Sequence, residues 1–276
     1  MDALRGLAAT AVAWQHYTNS VPGFLDKGWL QLAGSYGWLG VEAFFVISGF
    51  IIPYALYRSA YKLKAYRLFL AKRLIRLEPP YLASVALTIC LIYFGDLLIG
   101  RPHDARLTLP GILLHIGYLN VFFSYPWLNA SYWTLAVECQ YYLTMGLIFP
   151  CISSARRAPR LLAYILLASS CWLIPSVNFM FHYVFLFLLG IAMFQRHAGI
   201  IGQIEFWISA VVSSLGIYVS MGLPPFLAAV FAAVFISTWS LNWKIFLFLG
   251  DISYSLYLFH PTGVFAIVAF RQLGLV

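Results

Sequence analysis

Long apolar runs separated by short polar joints dominate the chain, and they recur at the length a bilayer demands. Such runs cover about 3–21, 36–57, 79–99, 132–151, 161–177, 179–195, 203–222, 225–241 and 245–270, most of them near the ~20 apolar residues that cross a hydrocarbon core of roughly 30 Å. Pro175, Pro224 and Pro225 mark joints between neighbouring helices. The pattern predicts an all-α fold, a polytopic transmembrane helical bundle of about nine to ten spans, with residues 1–276 forming one integral membrane domain. A transmembrane β-barrel would alternate apolar and polar positions in segments of roughly ten residues, whereas these runs are continuous and about twice that long.

Composition sharpens the picture. With 62% hydrophobic and 9% charged residues, the chain lies far from the ~25% charged fraction of soluble domains. Its net charge of +8 would suggest nucleic acid in a soluble protein, but the basic residues Arg58, Lys62, Lys64, Arg67, Lys72, Arg73 and Arg76 crowd into one short segment between apolar runs. Lys and Arg collect in cytoplasmic loops beside helix ends. The segment is therefore read as cytoplasmic, which puts the N-terminus inside as well, in a multi-pass protein of the inner (plasma) membrane with lipid rather than nucleic acid around it. Segment 108–125 is ambiguous. If it does not cross, Arg156, Arg157 and Arg160 fall inside, as the charge rule favours, while Arg101 and Arg106 lie in an outer loop. Arg5 before the apolar stretch Leu7 to Trp14 resembles a signal peptide, but Gln15 and His16 interrupt it and no small-residue cleavage site follows, so a retained first helix is expected. Cys90, Cys139, Cys151 and Cys171 stand singly in apolar segments without metal-type spacing, as unpaired packing residues do.

Ionisable residues inside spans are costly and mark function by default. Here they are Arg5, His16, Glu42, Glu138 and His260. Arg5 and His16 are eleven positions apart, which returns a helix to within about 20° of its starting direction, so both share a face roughly 16 Å apart along the axis. On the favoured topology His16 lies about 20 Å from the inside, His260 about 22 Å from the inside, and Glu138 about 9 Å below the outer surface. All three fall at one level, where an imidazole and a carboxylate make a base and its orienter. Ser253, Tyr257 and His260 follow i, i+4, i+7 spacing and share a face. A purely structural reading competes with each: His16 bonded to a neighbouring helix, and His260 satisfied by Tyr257 and Ser253.

Five short motifs then form a series. Met1 to His16, MDALRGLAATAVAWQH, carries Arg5, ten residues and His16; Phe44, Ser48, Gly49, Phe50 and Tyr54 fit F-x-x-x-S-G-F-x-x-x-Y; and Arg73 and Arg76 fit R-x-x-R. WTLAVECQYY from Trp133 to Tyr142 and SYSLYLFHP from Ser253 to Pro261 complete it. In this order the motifs resemble those of the acyltransferase 3 family, integral membrane enzymes that acylate bacterial cell-surface and secreted glycans. Two departures stand out. The chain begins inside the first motif and ends soon after the last, which leaves truncation at either end open, and Glu42 stands where many members have Asp.

The resemblance implies an acyl-CoA donor, commonly acetyl-CoA, arriving from the cytoplasm as co-substrate, and a glycan or glycolipid hydroxyl as acceptor. On that reading His16 is the general base, or less directly an acyl carrier, and Glu138 orients or charge-balances it. Arg5, Arg73 and Arg76 hold the donor, guanidinium forks suiting CoA phosphates. Ser48 and Gly49 give its pantetheine arm a close backbone approach, although small residues also serve helix packing. Glu42, Tyr54, Trp133, Ser253, Tyr257 and His260 support the site. The alternative is a transporter or flippase of an acyl or glycan precursor, whose buried ions would line a path; such proteins often carry internal repeats, and none is visible here.

Overall fold

The computed structural model describes residues 1–21, 28–100, 104–238 and 243–272, and Arg101 lies outside them. Among the described residues every regular element is helical. The α-helices are α1 (Asp2–Asn19), α2 (Trp29–Gly34), α3 (Gly40–Arg58), α4 (Tyr66–Ile99), α5 (Leu109–Leu113), α6 (Asn120–Phe123), α7 (Tyr132–Ile152), α8 (Arg157–Leu173), α9 (Val184–His197), α10 (Gln203–Met221), α11 (Leu223–Thr238), α12 (Lys244–Asp251) and α13 (Ser253–Gln272). Four stretches among the described residues are long and apolar enough to cross a membrane: Trp29–Arg58, Leu63–Leu98, Tyr132–Ile152 and Gln203–Met221. Leu223–Thr238 is apolar but shorter.

Three elements differ from the expected runs. The run expected to begin at 79 belongs to a 34-residue helix that starts at Tyr66, ~51 Å long at 1.5 Å per residue. Most of the basic segment is therefore helix rather than loop. Pro79 and Pro80 sit inside α4 without ending it, as prolines do in membrane helices; close by, the Tyr254 hydroxyl of α13 donates to the Leu77 carbonyl at 2.8 Å and ties the two helices together. Segment 108–125 is broken into α5, a short 3-10 turn and α6, none of them long enough to cross. The last run divides at Ile252, where the Ser253 hydroxyl closes the end of α12 by donating to the Gly250 carbonyl at 2.7 Å.

Helix α3 is central, packed against α1, α7, α9 and α11, while α1 lies on α12 and α13, and α13 on α4. Glycines permit two close crossings. A Cβ on Gly190 of α9 would stand 2.7 Å from the Gly49 Cα and carbonyl carbon, and one on Gly49 would meet the Phe187 Cα at 3.0 Å. In the second crossing a Cβ on Gly6 of α1 would fall 2.7 Å from the Leu249 carbonyl carbon. Close backbone approach through small residues is how helices associate where lipid offers no hydrophobic drive.

Arg160, expected among topology-setting loop charges, is instead 3% exposed. Its guanidinium bonds Glu205 at 2.7 and 2.9 Å and the Ser154 carbonyl at 2.7 Å, tying the start of α8 to the start of α10. All four cysteines are free, as expected.

The glycine crossing is testable. Gly190→Ala should lower stability by about 1–3 kcal/mol through overpacking against backbone, although alanine is favoured over glycine in a helix by about 1 kcal/mol. Gly95→Ala on α4, with nothing near its added Cβ, should be neutral or stabilising. Unfolding in mixed detergent reads both, and equal stability of Gly190→Ala and its parent would refute the crossing.

Candidate active site

Helices α1, α3, α4, α7 and α13 enclose a cavity into which seven of the expected site residues converge: Arg5, Ser48, Arg73, Arg76, Glu138, Ser253 and Tyr257. Tyr254 of α13 and Thr134 and Tyr142 of α7 complete its polar lining. Glu138 accepts a short hydrogen bond from Tyr142, one turn on in α7, and one from Ser48 of α3 at 3.4 Å. The carboxylate is thus held from two helices. Arg73 lies between rings, its guanidinium carbon 5.6 Å from the centroids of Phe69 and of Tyr142, a cation–π arrangement that restrains a long side chain. Among the described residues the ion pairs are Arg106–Asp104, Arg157–Glu205 and Arg160–Glu205. None uses Arg5, Arg73 or Arg76, so three guanidinium groups face this cavity against the one Glu138 carboxyl. The space suits an anionic ligand.

A second cavity adjoins the first, sharing Arg73 and Arg76 and adding Lys62, Lys64 and Lys72 beneath the end of α3. The two lie in series: a lysine-lined vestibule, a pair of arginines, then a narrower chamber that reaches Glu138 and Tyr257.

His16 and His260 meet elsewhere. Their rings pack with centroids 4.9 Å apart, tilted by 47°. His260 is buried and His16 half-buried. The Nδ1 of His260 bonds the Tyr257 carbonyl at 2.8 Å, and Nδ1 of His16 lies 3.2 Å from the Ser20 hydroxyl. Of the three residues expected at one level, His16 and His260 are thus ring neighbours, whereas the hydrogen bonds of Glu138 go to Ser48 and Tyr142. Tyr257 joins the two regions. It lines the cavity, its hydroxyl lies 2.7 Å from that of Thr134, and its ring is 5.8 Å from that of His260. Ser253, Tyr257 and His260 are all buried, on one face of α13 as their spacing requires.

The remaining expected residues have other surroundings. Gly49 makes the α3–α9 crossing, and its carbonyl accepts from Tyr141 at 3.5 Å, so the packing alternative describes its contacts. Glu42 is buried with Oε2 unpartnered. Trp133 stacks at 5.5 Å on Tyr183. Tyr54 packs at 5.4 Å on His197 and accepts from Arg58 at 3.4 Å, at the far end of α3. Sequence reasoning missed Tyr142, Thr134 and Tyr254. Tyr142 had a signal, since it lies four residues after Glu138 and so one helical turn away; Thr134 and Tyr254 carried none beyond their places in the motifs.

Site and fold together define a class: an all-helical membrane domain with a cationic cavity that runs from a basic face to the half-buried Glu138, and a histidine pair beyond Tyr257. The family model of the acyltransferase 3 domain, described as an acyltransferase domain, matches residues 1–274, and the chain belongs to that family. Similar proteins include O-acetyltransferase OatA of Staphylococcus aureus strains NCTC 8325, COL and MRSA252, each 33% identical over 158 residues, which cover 54% of this chain and 24% of the relative. The chain thus aligns with about a quarter of the length of these relatives. No solved structure matches it.

Proposed function

We propose that this protein is an O-acyltransferase that moves an acyl group, acetyl by preference, from acyl-CoA to a hydroxyl of a cell-surface or secreted glycan or glycolipid. One observation carries the reading: two cavities in series, joined by Arg73 and Arg76, run from a lysine-lined face to Glu138 and Tyr257. That sequence of environments mirrors an acyl-CoA molecule, with several phosphates at one end and a thin, weakly polar arm ending in the thioester at the other. The name of the relatives, O-acetyltransferase, points the same way.

In this mechanism the phosphates sit on Lys62, Lys64, Lys72, Arg73 and Arg76, and the arm passes Ser48 toward Tyr257. The acceptor enters from the half-buried His16 side. His16 takes the proton as the acceptor oxygen attacks the thioester carbonyl; the C–S bond then breaks and the CoA thiolate leaves. Glu138, held by Ser48 and Tyr142, balances the arginines and fixes the wall of the arm's channel. The transporter reading, open on buried charge alone, is not favoured by membership of an acyltransferase family. The protein is placed in the plasma membrane, with nine to ten crossings and its N-terminus and vestibule cytoplasmic, because acyl-CoA is made there and the basic residues cluster there.

Two experiments test this. Purified protein in nanodiscs, titrated with acetyl-CoA by calorimetry, should bind it. Changing Arg73 and Arg76 together to Gln should weaken binding at least tenfold, and changing both to Lys should recover only part because the fork geometry is lost; His16→Ala should bind normally but not turn over. Absence of binding by the wild-type protein, or undiminished binding by the Gln pair, would remove the donor site. In a Cys-free background, single cysteines at positions 62 and 157 should both label only from the cytoplasm. Labelling of 157 from outside would mean that 108–125 crosses, and labelling of 62 from outside would invert the whole protein.

A further inference from the structure

The histidine pair holds more than an assignment of base. The Tyr257 carbonyl can only accept, so the 2.8 Å contact with His260 requires the proton on Nδ1. In the neutral ring this leaves Nε2 as the lone-pair nitrogen, and it has no partner although His260 is only 3% exposed. A buried polar nitrogen without a partner is costly and calls for an explanation. The neighbouring ring is that of His16, at 4.9 Å between centroids and tilted by 47°. Its own Nδ1 contacts a hydroxyl, that of Ser20, which can donate or accept. One histidine therefore has a set tautomer and a free acceptor, and the other has an unset one.

We propose that His260 is the positioning partner of His16: its Nε2 accepts a hydrogen bond from His16 and takes the proton that His16 sheds when the acceptor hydroxyl is deprotonated. This rests on the acyl-transfer reading above. The balance is closed. The hydroxyl proton passes to one nitrogen of His16, the N–H proton on its other nitrogen passes to His260 Nε2, and after the C–S bond breaks the pair returns one proton in reverse order to the CoA thiolate. Catalytic hydrogen bonds tighten when substrate binds, and the bond from His16 to His260 forms in that complex. The expected order of partners changes accordingly: His16 is oriented by an imidazole of α13, not by the Glu138 carboxylate of α7.

The test uses the full chain in nanodiscs, with acetyl-CoA as donor, water as acceptor and free thiol as the signal. His260→Asn keeps a donor for the Tyr257 carbonyl but has no Nε2, and His260→Gln offers an oxygen that accepts a hydrogen bond but not a proton. Each should lower kcat about 100-fold, within the range of proton-transfer catalysis, and leave acetyl-CoA affinity unchanged. The rate in mixtures of light and heavy water should fall along a curve for the wild type, as for two protons moving together, and along a straight line for both variants. Wild-type kcat in either variant, or a straight line for the wild type, would overturn the proposal. A wild-type protein that binds acetyl-CoA but releases no thiol would instead count against the transferase reading. Nitrogen-15 NMR of histidine-labelled wild type decides the pair independently of activity: His260 should show a protonated Nδ1 and a bare Nε2, and a protonated Nε2 would sink it.

Discussion

The contact of Gly49 with Gly190 sets the rotation of α3, and the site depends on that rotation. Because the two backbones touch, α3 can turn little about its axis without collision. Ser48 is the adjacent residue, roughly 100° round the helix, and it points away from α9 to the Glu138 carboxyl of α7. Glu138 is in turn bonded by Tyr142, whose ring backs the Arg73 guanidinium. A packing contact between glycines is thereby transmitted through three side chains to the cation at the junction of the cavities. Phe45, on the same helix, contacts Tyr183 and Phe187 and so fixes the opposite wall.

Charge is distributed by the same economy. The cations that serve structure have acids of their own: Arg160 is neutralised by Glu205 in the α8–α10 joint, and Arg106 by Asp104. The cavity arginines have no such carboxylate ion pair among the described residues, and Glu138 is engaged by hydroxyls rather than by a guanidinium. In a low-dielectric setting unbalanced charge of one sign is destabilising, and it attracts a counter-charge strongly. An anionic ligand at Arg73 and Arg76 would relieve that imbalance, so donor binding and stability of the bundle should be linked.

Much of this was legible in the residues, and for identifiable reasons. Buried ionisable positions are so costly in an apolar chain that Arg5, His16, Glu138 and His260 stand out without any structure, and the helical repeat alone puts Ser253, Tyr257 and His260 on one face. Depth along the membrane put His16, Glu138 and His260 at one level, and in the structure the rings of His16 and His260 are neighbours. Direction within the membrane plane was not legible. Knowing that Glu138 shares a level with His16 does not tell which of several neighbouring helices it faces, and α3 supplied the answer through Ser48. Nor could composition separate loop from helix at 66–78, because a basic amphipathic helix leaving the membrane and a basic loop have the same residues. Gly49 was ambiguous in kind: space for a ligand and space for a helix look identical in sequence.

Transfer between two compartments poses a proton problem that the arrangement answers. On the proposed reading the donor's leaving group lies in the cavity lined by Arg73 and Arg76, while the acceptor's proton is released at His16, on the other side of Tyr257. A single imidazole facing only the acceptor would have to release its proton to the outer medium and leave the thiolate to find another. On that reading a buried second imidazole, anchored by its Nδ1 to the Tyr257 carbonyl, keeps the proton inside the protein for the time the acyl group takes to exchange sulfur for oxygen. Tyr257 then has a structural reason for its place: its ring lines the donor cavity, its carbonyl sets the tautomer of His260, and its hydroxyl is held by Thr134. The residue that separates the two substrates is also the one that tells the histidine pair which nitrogen is free.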